Sequence, residues 1–210
     1  MLEALRTAVI AAQATAQGTH WYAFDAPPRL LFEQVILHLR RFVPGHEAFV
    51  GAEWWFRATS TDTGCPFHFD RDERVRSSIV SPGIASILYL SNAGGPTVIL
   101  DATPARSTAP RAGIAVDPRV GRFVMFPGAL LHGVLPSPPS RWPRVTLLVN
   151  WWPAVPRLER APALASTLAS DRWRPDDARR PAAPLAPFDP ARLLGKAAWR
   201  DIIANQVSYR

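Results

Sequence analysis

The chain changes its hydrophobic period once, near residue 45. Before that point apolar side chains recur at helical spacing. The spacing predicts a helix over Leu2–Gln17 and a second over Arg29–Phe42, where Leu30, Leu31, Gln34, Val35, Leu37 and His38 fall near one face. Pro27 and Pro28 suit the start of the second helix, and Pro44–Gly45 ends it. From Ala48 to Trp152 the pattern becomes short β-type runs, among them AFVGAEWWFRATS, ASILYLS, PTVILDA, GIAVDP, RFVMFPG, LHGVLP and RVTLLVNWWP. Turn-forming stretches such as TDTG, NAGGP and PSPPSRWP separate them. Short strands at this spacing predict a barrel or a sandwich. Beyond Pro153 the chain is proline-rich, which predicts an irregular wrap. A last helix is expected over Ala191–Asn205, with Leu193, Leu194, Trp199, Ile202 and Ile203 as its docking face. No repeat is evident.

Composition narrows the classes. A chain of 210 residues, 48% hydrophobic and 20% charged, fits one globular domain with a real core. The 22 prolines and 12 glycines disfavour an all-helical fold. The net charge is +7, and every basic residue except Lys196 is arginine. These arginines are scattered and often stand beside acids, as in DRDER, so no compact basic block points to nucleic acid. Cys65 is the single cysteine, so no internal disulfide is expected. No apolar run reaches membrane-spanning length. Glu3, Gln13 and Gln17 argue against reading the first helix as a signal peptide.

The chemistry concentrates in a few residues. GCPFHFDRDER places His68 and Asp70 two apart, a spacing that in a strand puts both side chains on one face. Taken alone, an H-x-D pair is most often a surface ion pair or a turn. A second histidine, His132 in FPGALLHGVLP, alters that balance. Two histidines and one carboxylate form the facial set of non-haem Fe(II) sites, which leaves coordination positions open. Arg144 opens RVTLLVNWW, with Thr146 on the same strand face. A guanidinium pointing into a barrel is costly without an anion, and a carboxylate ligand would supply one. The alternative is a rim arginine paired with an acid.

With these pieces in order, the run from about Trp54 to Trp152 resembles the double-stranded β-helix core of the Fe(II)/2-oxoglutarate dioxygenase superfamily, closest to its prolyl-4-hydroxylase-like branch. HFD matches the H-x-D motif. ILYLSNAGGPTVIL resembles the tyrosine-bearing strand and its Gly-Gly-x-Thr turn, GRFVMFPGALLHGVLP the segment carrying the distal histidine, and RVTLLVNWW the strand carrying the 2-oxoglutarate arginine. The resemblance implies a mainly β jelly roll, cupin-like, with flanking helices. It implies one domain over 1–210, made of N-terminal helices (1–45), a jelly-roll core (46–153) and a C-terminal wrap and helix (154–210). It implies that His68, Asp70 and His132 bind Fe(II). Arg144 would grip the distal carboxylate of 2-oxoglutarate, with Thr146 or Tyr89 adding a hydrogen bond. Many prolyl hydroxylases use lysine there, so the arginine weakens prolyl specificity. The implied reaction consumes O2 and 2-oxoglutarate, releases succinate and CO2, and hydroxylates an unactivated C–H bond of a small-molecule or peptide substrate, an amino-acid side chain being the leading choice. An intact carboxylate at Asp70 favours hydroxylation over halogenation. Three rivals stand beside it: a metal-binding jelly roll without turnover, a biosynthetic oxygenase running desaturation, epoxidation or cyclisation, and a nucleic-acid repair dioxygenase suggested by charge alone. A cytoplasmic location, where Fe(II) stays reduced, is expected.

Overall fold

The computed structural model describes residues 2–13, 18–106 and 109–157, together with a two-residue strand at 187–188. The helix expected over Ala191–Asn205 lies outside the described residues, as do Ala14–Gln17 of the first.

In chain order the elements are α1 (Leu2–Ala12), β1 (His20–Ala23), α2 (Leu31–Arg40), a short 3-10 turn (His46–Ala48), β2 (Gly51–Thr59), β3 (Cys65–His68), β4 (Ile84–Tyr89), β5 (Thr97–Leu100), β6 (Gly113–Val116), β7 (Phe123–Pro127), β8 (His132–Val134), β9 (Arg144–Trp152) and β10 (Pro187–Phe188). Helix α2 begins two residues later than its apolar pattern suggests. The Glu33 carboxylate reaches back to accept the main-chain N–H groups of Arg29 and Leu30, which holds both outside the helix.

Two five-stranded antiparallel sheets face each other. Their orders are β1-β2-β9-β4-β7 and β10-β6-β5-β8-β3. Successive strands from β2 onward alternate between the sheets except at the β5–β6 hairpin and its continuation, which is the double-stranded β-helix, a jelly roll. Strands β1 and β3 carry too few alternating apolar residues to stand out in sequence, and β10 falls in the stretch read as an irregular wrap.

Alternation assigns each face of the first sheet. Ala52, Trp54 and Phe56 of β2, with Val145, Leu147, Val149 and Trp151 of β9, form one core cluster with Leu5 and Val9 of α1 and Phe32, Val35, Ile36 and Leu39 of α2. Phe32 stacks on both Trp54 and Phe56, with ring centroids 5.0 and 5.2 Å apart. Both N-terminal helices thus cover the outer face, because an apolar sheet face must be packed against something. The opposite side chains point between the sheets. Register sets them in rows: Glu53 beside Asn150 and Ala85, Trp55 beside Leu148 and Ile87, Arg57 beside Thr146 and Tyr89, Thr59 beside Arg144. Ala85, Ile87, Tyr89, Ile99, Val116, Val124 and Phe126 close the floor between the sheets.

Candidate metal centre and anion cradle

His68 and His132 are direct Cα partners across β3 and β8. Asp70 does not share a strand face with His68, as a regular strand would require. β3 ends at His68, and Asp70 lies in the coil that follows, which turns its carboxylate back between the two rings. Its Oδ1 lies 3.5 Å from His68 Nε2 and its Oδ2 lies 3.6 Å from His132 Nε2. One ligand atom from each residue falls within 4.8 Å of the others. The ring centroids are 4.5 Å apart.

Each imidazole is oriented by its own backbone. His68 Nδ1 is 2.9 Å from the Pro66 carbonyl oxygen, and His132 Nδ1 is 2.9 Å from that of Leu130. A proton donated there leaves Nε2 of each ring as the atom directed at Asp70 and as the one a metal would take, displacing any proton it carries. Burial disfavours charge on His132 and holds its pKa below the ordinary histidine value. At His68 burial pushes the same way, but the bonds to Asp70 and Cys65 outweigh it and hold the pKa up at about 10. Asp70 is pushed up by burial, and His68 and His132 more than reverse this. The pocket therefore gathers one anion and two nitrogen donors around a single point. Two nitrogens, one carboxylate oxygen and no thiolate form a set that fits a divalent iron-like ion.

Asn150, paired in register with Glu53, is a neighbour of both Glu53 and Asp70. It favours the ionised form of both Asp70 and Glu53. Glu53 is buried, and its Oε2 accepts the indole N–H of Trp152 at 3.1 Å. Burial raises its pKa to about 7 although that bond and Asn150 pull it down.

Arg144 supplies a second centre. The residue is 7% exposed. Nη2 donates to Thr97 Oγ1 at 2.8 Å, and Nε has no partner. Among the described residues no carboxylate pairs with it. Tyr89 donates its hydroxyl to the same Thr97 oxygen at 2.7 Å, and its ring lies under the guanidinium, 5.3 Å from centroid to Cζ. The Thr146 hydroxyl is fully buried and has no hydrogen-bond partner among the described residues. A buried cation beside unsatisfied donors is unfavourable unless an anion completes it. The cradle therefore offers a cationic site suited to a carboxylate, and it lies near the His–Asp–His cluster, since Arg144 and His68 both act electrostatically on Cys65.

His68, Asp70 and His132 come together as one cluster, and Thr146 and Tyr89 stand side by side on the facing sheet, on the same strand face as Arg144. Sequence reasoning missed Thr97, whose Oγ1 accepts from Arg144 Nη2. Its signal was the threonine of the Gly-Gly-x-Thr turn. Glu53 carries no sequence signal, being hidden between two strand-forming residues. Asn150 shares the Arg144 face through strand alternation, as its spacing predicts. Cys65 neighbours His68 but is not part of the ligand cluster. Arg71 pairs with Glu73 at 3.3 Å.

Against known proteins, no family model and no curated protein sequence matches the chain. Solved structures do resemble it. A Pseudomonas putida prolyl-4-hydroxylase is similar over 72% of this chain and 80% of its own, with 17% identity and a TM-score of 0.46. HygX from Streptomyces hygroscopicus, solved with nickel and 2-oxoglutarate bound, covers 72% and 78% at 14% identity and a TM-score of 0.47. A 2OG-Fe(II) oxygenase family oxidoreductase from Burkholderia pseudomallei covers 71% and 79% at 16% identity and a TM-score of 0.42.

Proposed function

We propose that the protein is an Fe(II)- and 2-oxoglutarate-dependent dioxygenase, acting as one domain in the cytoplasm. The observation that carries this reading is the pairing of two neighbouring features. A His–Asp–His cluster is gathered at one point, and Arg144, buried and without an acidic partner among the described residues, lies near it on the facing sheet. A metal-binding jelly roll without turnover has no need of the second.

In this reading His68, Asp70 and His132 hold the metal through Nε2, one carboxylate oxygen and Nε2. Arg144 grips the far carboxylate of 2-oxoglutarate, Thr97 holds the guanidinium, and Thr146 and Tyr89 line the carboxylate's berth. Fe(II) with 2-oxoglutarate supplies an O2-consuming decarboxylation in which one oxygen atom enters succinate and the other the substrate. The protein contributes position and exclusion of water. The apolar floor of Ile87, Ile99, Val124 and Phe126 keeps the inner end dry, which strengthens the Arg144–carboxylate attraction. The substrate we favour is an aliphatic or aromatic amino-acid side chain, free or within a peptide, receiving one hydroxyl group.

The test is direct. The purified chain with Fe(II), O2 and 2-oxoglutarate should release succinate and CO2, and a substrate screen by mass spectrometry should show a product heavier by one oxygen atom. His132→Ala should lose both metal and succinate. Tight Fe(II) binding with no 2-oxoglutarate binding and no succinate would return the protein to the non-catalytic class.

A further inference from the structure

One side of the chamber is used neither by the metal ligands nor by the Arg144 cradle. Along β9 every residue is buried except Leu148. Along β2 the first residue that is not buried is Trp55. These two are direct Cα partners, and both point between the sheets. A partly exposed leucine in the middle of a central strand, flanked by buried residues, marks open space above it. Asn150, the next residue on that face, acts on Asp70, and the His68 side chain is itself one-third exposed.

Arg57 stands one step further along the same face, opposite Thr146. A strand rises about 3.3 Å per residue, so Arg57 lies roughly 7 Å along from Trp55. It is exposed, it shares the face of β2 that points between the sheets, and it acts electrostatically on Cys65 of the facing sheet. Among the described residues no carboxylate pairs with it, whereas neighbouring Arg71 is engaged by Glu73.

The charges of the loaded site decide what Arg57 can want. A divalent ion with Asp70 leaves one positive charge, and Arg144 adds another. The two carboxylates of 2-oxoglutarate cancel both. Arg57 is then the surplus cation at the mouth. Its guanidinium fork matches one planar carboxylate.

We propose that Trp55, Leu148 and Arg57 form the substrate-recognition wall and that the substrate is a small free carboxylic acid. Its apolar carbons lie over Trp55 and Leu148, within reach of the metal, and its carboxylate meets Arg57. For an amino-acid substrate this selects the free acid or a chain-terminal residue over one inside a peptide. The inference rests on the dioxygenase reading, which it deepens.

The experiment is ligand-observed NMR on the full chain loaded with Zn(II) and 2-oxoglutarate. The probes are leucine, phenylalanine and 4-methylpentanoic acid, each as free acid and as primary amide. The acids should bind about tenfold more tightly than the amides. Arg57→Gln should abolish that preference, Arg57→Lys should keep most of it, and Trp55→Ala should weaken acid and amide alike. Acids that do not bind, equal binding of acid and amide, or a preference that survives Arg57→Gln would each overturn the proposal. Retention of 2-oxoglutarate, read in the same samples, separates this from failure of the dioxygenase reading. Loss of 2-oxoglutarate binding would count against Arg144, and the acid–amide comparison on the Zn(II)-loaded chain would still decide Arg57.

Discussion

At the residue scale, the decisive side chains are those whose polar atoms the fold leaves unsatisfied. Arg144 is the clearest. Truncating one partner of a buried charged pair costs roughly 2–5 kcal/mol. Arg144→Ala should therefore weaken 2-oxoglutarate binding by about tenfold or more, at about 1.4 kcal/mol per decade, while Zn(II) affinity stays near the wild-type value. Calorimetric titration of each ligand checks both halves. Asn150 acts on Asp70, and loss of such a supporting contact typically costs about 10–100-fold in metal affinity. Asn150→Ala should fall in that range with the melting temperature of the metal-free protein little changed. Glu53 gives a pH prediction. Its folded pKa is raised from 4.5 to about 7, so between those values the folded state keeps a proton that the unfolded chain releases. Stability from this group is greatest below 4.5 and falls as pH rises to 7. One pKa unit is about 1.36 kcal/mol, so the fall amounts to about 3 kcal/mol. In chelator-treated protein, urea unfolding of Glu53→Gln should lack that decline relative to wild type.

At the element scale, two contacts place the site. The Gly94–Gly95 turn between β4 and β5 lies directly on the Arg144 stem. A Cβ at Gly94 would come within 2.6 Å of Arg144 Cδ, and the backbone there has a φ of +98°, which disfavours any side chain. Gly94→Ala should shift the guanidinium and reduce 2-oxoglutarate affinity with Zn(II) binding retained, as the same titrations would show. On the far side of the sheet, α2 presses Phe32 onto Trp54 and Phe56. Phe32 is fully buried, and removing such a ring costs about 3–5 kcal/mol. Phe32→Ala should lower the denaturation midpoint by an equivalent amount. It should not alter the ligand-site geometry, because the ring lies on the face of β2 opposite the chamber.

At the scale of the whole molecule, the metal residues tie one sheet to itself and Arg144 ties the other sheet to the ligand. His68 and His132 sit on neighbouring strands β3 and β8, whereas Arg144 is on β9 of the facing sheet. A ligand that touches both centres therefore bridges the sandwich. Zn(II) alone should raise the melting temperature, and 2-oxoglutarate should raise it further only when Zn(II) is present. Binding to the folded state at a hundred times Kd adds about 2.7 kcal/mol. In Arg144→Ala the second increment should fall to about half or less and the first should remain, which differential scanning fluorimetry can read.

Strand content was legible from residue order because an apolar run bounded by Gly, Pro, Asn and Ser has few other solutions. Seven of the β-type runs appear as β2 and β4–β9. The histidines, Asp70 and Arg144 were legible because costly residue types stood in apolar segments. Alternation alone put Asn150 on the Arg144 face. Other features were not legible. Strand β1 and the short β3 exist because partners are present to pair with them, a contribution that no local pattern records. Asp70 reaches the histidines from a coil and not along a strand, since the end of β3 is set by its register with β8. Thr97 became the partner of Arg144, and Glu53 became a buried carboxylate near Asp70, through contacts between strands distant in sequence. The sequence by itself determined which chemical groups the chain owns and which face of each strand they take, because both follow from local sterics and a two-residue period. Only the tertiary structure decided which of those groups meet, because cross-strand register is fixed by long-range pairing, and burial then turns their proximity into shifted pKa values and an unpaired buried charge.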